Sequence, residues 1–164
     1  KDGHQSSMAQ YQLPSHHPVP EGPTSCVGCH NPHAATESQL KTHMRLNDLC
    51  FECHQSKEGP FIFEHDPVVE DCSLCHTPHG SVANNLLTAN EPTVCLQCHE
   101  FHFHAGLLSP EGEYEVGGSH FENPAGEHSF NVAFTTKCTQ CHSQVHGTDL
   151  PSQSTPGGGH GMVR

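Results

Sequence analysis

Residues 65–79 read HDPVVEDCSLCHTPH, and they contain the pattern around which the rest of the chain is arranged. Two cysteines, Cys72 and Cys75, are separated by two residues, and His76 follows directly. The same Cys-x-x-Cys-His pattern occurs four more times, as Cys26/Cys29/His30, Cys50/Cys53/His54, Cys95/Cys98/His99 and Cys138/Cys141/His142. All 10 cysteines of the 164-residue chain are thereby used. We number these motifs sites 1 to 5 in chain order.

C-x-x-C-H is the attachment pattern of c-type haem. Each thiol forms a thioether with one vinyl group of the porphyrin, and the adjacent His binds the iron as its proximal ligand. Zinc-ribbon spacing from Cys26 to Cys53 and a disulfide scaffold are alternatives, but neither requires a His after every pair. With 18 His in the chain, five in five by accident has a probability on the order of 10⁻⁵. The sequence therefore predicts five haem c groups with these proximal ligands: His30, His54, His76, His99 and His142.

The composition favours a fold built on these groups. Only 32% of residues are hydrophobic, Trp is absent, and Gly and Pro number 15 and 13. A chain this polar does not bury enough apolar area to offset its backbone entropy. We expect one pentahaem cytochrome c domain over residues 1–164, mostly coil with short helices, wrapped round a row of five haems. Helical turns are expected at each C-x-x-C-H and a short helix over residues 36–48.

The spacing of the sites indicates an internal repeat. The first cysteines lie at 26, 50, 72, 95 and 138, so four sites form a regular array and the fifth lies beyond an insertion. A His-(x)-Pro-Val segment precedes sites 1 and 3, beginning at His17 and His65, and both sites continue as His-x-Pro-His. Residues 1–12 are expected to form an N-terminal arm, residues 105–129 a long loop and residues 151–164 a flexible tail.

The sixth iron ligand decides whether a haem transfers electrons or binds substrate. Three Met cannot close five irons, whereas 13 non-proximal His can, so bis-His ligation is expected. The candidate distal ligands are His17, His33, His65, His79 and His104, and the alternates are His16, His43, His102, His128 and His146. A His three residues beyond a proximal ligand cannot reach the opposite face of its own ring. His33 and His79 should therefore ligate a different haem.

The charge and hydropathy of the chain limit its partners. Lys and Arg total 6 against 18 acidic residues, a net charge of −12, which argues against nucleic acid and favours basic partner surfaces. The longest apolar run is three residues, far below the about 20 of a transmembrane helix. We expect a periplasmic or extracellular protein whose signal peptide has been removed.

The chain resembles the periplasmic decahaem cytochromes of porin–cytochrome complexes, the DmsE type, and more distantly the small pentahaem electron donors to nitrite reductase. Residues 17–33, 59–68, 72–81 and 138–147 carry the resemblance, and residues 13–164 are similar to the second half of such a decahaem protein. The resemblance implies a nearly all-coil chain round bis-His haems that passes electrons toward the outer membrane or cell exterior. Its partners would be redox proteins or a porin–cytochrome complex.

Five sites stand here where that family has ten. This difference leaves open a periplasmic shuttle, a subunit of a longer assembly, and a protomer of a conductive extracellular filament that binds copies of itself. A multihaem reductase with one open iron is the enzymatic alternative. A nitrite-reductase-like site would have Lys in place of a proximal His, and a hydroxylamine-oxidising type would need a crosslinking Tyr. We therefore expect an electron carrier without catalytic residues.

Overall fold

The computed structural model describes residues 8–34, 39–41, 44–99, 113–116, 119–122, 137–140 and 142–150. Most of these residues are in coil and turns, as predicted. The α-helices are α1 (Cys26–Cys29), α2 (Leu46–Phe51) and α3 (Asp66–Glu70). Turns of 3-10 helix lie at Met8–Gln12, Gln55–Lys57, Cys72–Leu74, Asn84–Leu86, Cys95–Gln97 and Cys138–Gln140. Over these same ranges, no helix is long and apolar enough to cross a membrane.

One antiparallel hairpin lies within residues 105–129, the segment expected to be a long loop. It pairs β1 (Glu113–Val116) with β2 (Ser119–Glu122), and Glu113 lies opposite Glu122. The first part of the N-terminal arm and the whole tail, residues 1–7 and 151–164, lie outside the described residues.

The helix predicted over residues 36–48 is wrong at the described residues 39–41 and 44–45, and only residues 46–48 are helical. Leu40 forms an antiparallel bridge with His30, and the carbonyl of Gln39 accepts a hydrogen bond from the Asn31 N–H (2.7 Å). Gln39 also has a φ of +49°, which a right-handed helix excludes. The chain therefore returns to site 1 first, and α2 begins only at Leu46.

The described polypeptide has very little core of its own. Its buried apolar side chains are Leu49, Phe51 and Ala83. Val27 and Leu74, which stand between the cysteines of sites 1 and 3, are 59% and 47% exposed. Three buried side chains cannot offset the entropy of ordering this many residues, which agrees with the expectation from composition.

Two long-range bridges fold the chain back on itself in the same way. Ser15 pairs with Ser81, and Phe63 pairs with Thr148. A glycine lies beside each bridge, because the incoming segment leaves no room for a side chain. A Cβ on Gly80 would lie 2.0 Å from the Gln10 carbonyl oxygen, and one on Gly147 would lie 2.2 Å from the ring of Phe61. Each bridge is two residues away from two of the candidate distal histidines, His17 and His79 in one case and His65 and His146 in the other.

Candidate haem sites

All five sites share one local backbone structure. In each, a helical turn includes the first cysteine, and the carbonyl of that cysteine accepts a hydrogen bond from the N–H of the proximal His. The five distances are 2.8 Å at His30, 3.0 Å at His54, 3.0 Å at His76, 2.9 Å at His99 and 2.8 Å at His142. The helical turns predicted at C-x-x-C-H are thus confirmed, and they place the first cysteine and the proximal His of a site close together.

Four of the proximal imidazoles face a second imidazole at a nearly constant distance. The ring centroids are separated by 6.2 Å for His17–His54, 5.8 Å for His30–His79, 5.9 Å for His65–His99 and 6.2 Å for His76–His146. In every pair one ring is a proximal His and the other belongs to no C-x-x-C-H motif. Imidazole nitrogens bind a metal at about 2 Å, so two rings on opposite sides of one ion have centroids about 6 Å apart. The four gaps therefore fit an iron between two imidazoles.

Backbone carbonyls fix the orientation of three of these rings. Nδ1 of His65 donates to the Val145 carbonyl (2.8 Å), and Nδ1 of His76 donates to the Asn85 carbonyl (2.9 Å). Nδ1 of His17 donates in the same way to the carbonyl of Pro78. A proton held on Nδ1 leaves the lone pair of Nε2 available, as in most metal-binding imidazoles. These three rings are therefore prepared to bind iron through Nε2.

Burial favours the neutral form of two further rings. It lowers the pKa of His146 to about 4, with a smaller contribution from the charge of Lys57. Burial is also the main cause that lowers the pKa of His79, whose ring contacts the edge of Tyr11 at a centroid distance of 5.7 Å. Because metals bind the neutral imidazole, both rings are in the ligand form at neutral pH.

Each imidazole pair joins two different sites. His17 precedes site 1 but faces the proximal His of site 2, and His65 precedes site 3 but faces that of site 4. His79 follows site 3 and faces site 1, whereas His146 follows site 5 and faces site 3. The pairs therefore link residues that are distant in sequence.

The other candidate ligands fall into two groups. His33 is exposed, and within the described ranges its ring faces no proximal imidazole. Both ring nitrogens of His16 are already engaged, Nδ1 with the Leu13 carbonyl (2.6 Å) and Nε2 with a Glu21 carboxylate oxygen (3.0 Å). His43, His102, His104 and His128 lie outside the described residues.

The cysteines show which sites are neighbours. The thiols of Cys50 and Cys72 lie close to each other, and burial together with Cys72 raises the pKa of Cys50 to about 12. The sulfurs of Cys95 and Cys138 lie within 4.8 Å of each other. Burial raises the pKa of Cys29, with a smaller contribution from Cys53. Burial also raises the pKa of Cys75, with a smaller contribution from Cys98. Contacts between first cysteines thus connect sites 2–3 and 4–5, and second cysteines are close at sites 1–2 and 3–4.

Two polar side chains that the sequence analysis did not single out fix the first-cysteine contacts. Asn47 is 1% exposed. Its Oδ1 accepts from the Cys72 N–H (2.8 Å), and its Nδ2 donates to the carbonyls of Val68 (3.0 Å) and Val69 (3.2 Å). The Glu91 carboxylate accepts from both the N–H (2.8 Å) and the hydroxyl (2.9 Å) of Thr139. Asn47 lies three residues before Cys50, and Glu91 lies four residues before Cys95. This similar position is the only feature of the sequence that could have identified them.

Five C-x-x-C-H sites, four of them with an opposed second imidazole, define a multihaem c-type cytochrome. The chain belongs to the family described as the doubled CXXCH motif, whose model matches residues 16–59 and 65–103, about half of the chain. Each match contains two sites, sites 1 and 2 in the first and sites 3 and 4 in the second. Membership of this family indicates covalently bound haem c and supports electron transfer.

The chain is also similar to one curated relative. It is 35% identical over 149 residues to the multihaem cytochrome MtrA of Shewanella baltica (strain OS185). The alignment includes 91% of this chain and 42% of that relative, so the chain spans less than half of the relative's length.

Proposed function

We propose that this chain binds five haem c groups, each between two imidazoles, and conducts electrons from one to the next. The observation that carries the proposal is the set of four imidazole pairs at 5.8–6.2 Å, each with one proximal His. The distal ligands are His79 for site 1, His17 for site 2, His146 for site 3 and His65 for site 4. For site 5 the candidate remains His104, with His102, His128 and His43 as alternates.

The five sites form one row in chain order. This order is supported by the cysteine contacts, which connect each site to the next one along the chain. When bound, haem c supplies an iron that changes its oxidation state by one electron. The chain's own residues then fix the separation of the sites, because a distal His from one part of the chain reaches a site in another.

The same pairs support an electron carrier over an enzyme. An iron with an imidazole on each side has no open position for a substrate. Sites 1 to 4 would all be closed in this way. The retention of His as proximal residue at every site agrees with this assignment.

We place the protein on a respiratory route from the periplasm to the cell exterior, with redox proteins or a porin–cytochrome complex as partners. The resemblance to decahaem cytochromes and the 35% identity to a multihaem cytochrome support this placement. The charge of −12 favours encounters with basic surfaces, which slow as salt screens them. A filament protomer is the second candidate, because the exposed His33, which follows site 1, offers a second copy a contact at one end of the row.

The test combines mass spectrometry with spectroscopy of the haem-loaded protein. We expect the mass of the polypeptide plus five haems and only low-spin iron. His79→Ala should convert the iron at His30 to a high-spin form that binds carbon monoxide when reduced, and His146→Ala should do so at His76. His16→Ala is the matched control and should change nothing, because its ring is engaged elsewhere. A full high-spin haem in the unmutated protein would instead favour the reductase alternative.

A further inference from the structure

Two distal histidines follow one rule. His79 comes directly after site 3 and faces site 1, and His146 comes directly after site 5 and faces site 3. Sites 1 and 2 form one two-site unit, and sites 3 and 4 form the next. In both cases, therefore, the His that follows an odd-numbered site faces the first site of the preceding unit. The arrangement around both is also the same. The carbonyl of the residue before each His, Pro78 or Val145, accepts a hydrogen bond from an upstream distal His.

His33 occupies the equivalent position after site 1. Sites 1 and 3 have matching backbones there, since His30 bridges Leu40 and His76 bridges Leu87. The flanking hydrogen bonds match as well, from Lys41 N to Cys29 O (2.9 Å) and from Thr88 N to Cys75 O (2.8 Å). His33 and His79 therefore leave equivalent sites at the same point. The rule directs His33 to a site that would precede site 1, and none of the five sites does.

The cysteines of site 1 point to the same conclusion independently. The first cysteines of sites 3 and 5 each contact the first cysteine of the preceding site. Cys26 is the first cysteine of site 1, and it is exposed. Within the described part of the chain, no other first cysteine lies against it. Site 1 thus has no such neighbour before it among the five sites, and the exposed imidazole of His33 follows it.

We infer that His33 is an axial ligand in trans, to a haem c iron outside the five sites of this chain, held by another two-haem unit of the doubled CXXCH type that docks beside Cys26. The inference rests on the proposed imidazole pairs. One residue departs from the rule, since Ala34 stands where Gly80 and Gly147 follow the other two ligands. The Cβ of Ala34 keeps an incoming segment farther away than at those glycines, so the contact is made through the imidazole and not through a close backbone bridge.

The test compares three variants, His33→Ala, His79→Ala and His16→Ala, in two forms of the haem-loaded protein. One form is the protein as its host assembles it, and the other is the 164-residue chain in dilute solution. In the assembled protein, His33→Ala should produce one additional high-spin haem per chain, and added imidazole should return it to low spin. In the dilute chain, His33→Ala should leave the low-spin count unchanged, whereas His79→Ala opens one iron in both forms. His16→Ala should be silent throughout.

Each outcome separates the possibilities. An assembled His33→Ala protein that stays fully low-spin overturns the inference, and so does a new high-spin haem in the dilute chain, which would make His33 a ligand within its own chain. Failure of His79→Ala to open an iron would instead overturn the proposed pairs. The source of the partner iron follows from sedimentation of the 164-residue chain. If concentrated chains associate and His33→Ala prevents it, the inference is overturned, because the five irons of a second copy are already closed by their own imidazoles. If the chains stay monomeric, the iron belongs to another haem-bearing unit of the assembled protein, as inferred.

Discussion

The junction between sites 2 and 3 and that between sites 4 and 5 achieve the same contact by different means. Both bring two first cysteines together, but 22 residues separate Cys50 from Cys72 and 43 separate Cys95 from Cys138. The shorter junction is held by a fully buried neutral amide, Asn47, and the longer one by the half-buried carboxylate of Glu91. A buried carboxylate would be costly to desolvate, whereas a half-exposed one is tolerated. The burial of each junction therefore determines whether a neutral amide or a carboxylate can stabilise it.

The largest difference between the junctions should appear when a site is removed. Replacing Cys72 and Cys75 by Ala takes away the group at site 3, to which His76, His146 and the Asn47 contact all belong. We expect loss of protected structure across the whole domain, because the polypeptide has too little core to remain folded. Hydrogen exchange with mass spectrometry would measure it.

Removing site 5 is the matched comparison. Replacing Cys138 and Cys141 by Ala should disturb residues 137–150 and leave sites 1 and 2 protected, since their ligands come from sites 1 to 3. Equal damage from the two double variants would show that the junctions are not distinct. Native protection after loss of site 3 would contradict the view that the haems supply the core.

Asn47→Ala tests the shorter junction alone. The change leaves the Cys72 N–H and the Val68 and Val69 carbonyls without their partner, so we expect the free energy of unfolding to fall by about 2–3 kcal/mol. Ala is the better helix former in α2, so helix propensity cannot explain a loss. Denaturant unfolding would measure the change. Asn84→Ala, at an exposed Asn, is the control. An equally small effect from both variants would show that Asn47 does not stabilise the shorter junction.

Local features of the sites could be predicted from the sequence. The spacing of cysteines within C-x-x-C-H dictates a helical turn at each site, and all five have one. The repeated His-Pro-Val segments identified His17 and His65 as candidate ligands, and both now face a proximal imidazole. These features depend on a few neighbouring residues, so a single segment contains the information.

Long-range features could not be predicted. His79 follows His76 of site 3, but it faces His30 of site 1, which lies 46 residues before His76. Nothing in the sequence around His79 or His30 specifies this pairing. His146 ranked only as an alternate because site 5 lacks the Pro of the other repeats and places its His one residue later. Asn47 and Glu91 belong to no motif. The helix predicted over residues 36–48 is wrong at residues 39–41 because the bridge between Leu40 and His30 outweighs local helix propensity there.

Glu91 variants test the longer junction. Glu91→Ala should lower the free energy of unfolding of the segment around site 5 by about 1–2 kcal/mol, less than Asn47→Ala, because water can reach the half-exposed Thr139 N–H. Glu91→Gln retains one amide oxygen for that N–H, so it should recover most of the loss. Hydrogen exchange of residues 137–140 would report the local change. Glu70→Ala removes the same charge from an exposed position. An equal effect there would indicate that the loss comes from the change in net charge and not from the hydrogen bonds to Thr139.

The smallest expected effect separates the two hydrogen bonds that Glu91 accepts. Thr139→Val keeps the side-chain shape and the bond from the Thr139 N–H (2.8 Å), and removes only the bond from its hydroxyl (2.9 Å). A single hydrogen bond at a half-exposed site contributes about 0.5–1.5 kcal/mol, so local protection should fall slightly and the rest of the domain should not change. Thr139→Ser retains the hydroxyl and is the matched control. Because the two residues are in contact, the double variant Glu91→Ala/Thr139→Val should lose less than the sum of the single variants. If the losses add instead, the hydroxyl and the carboxylate act independently, and the longer junction is held by the backbone bond alone.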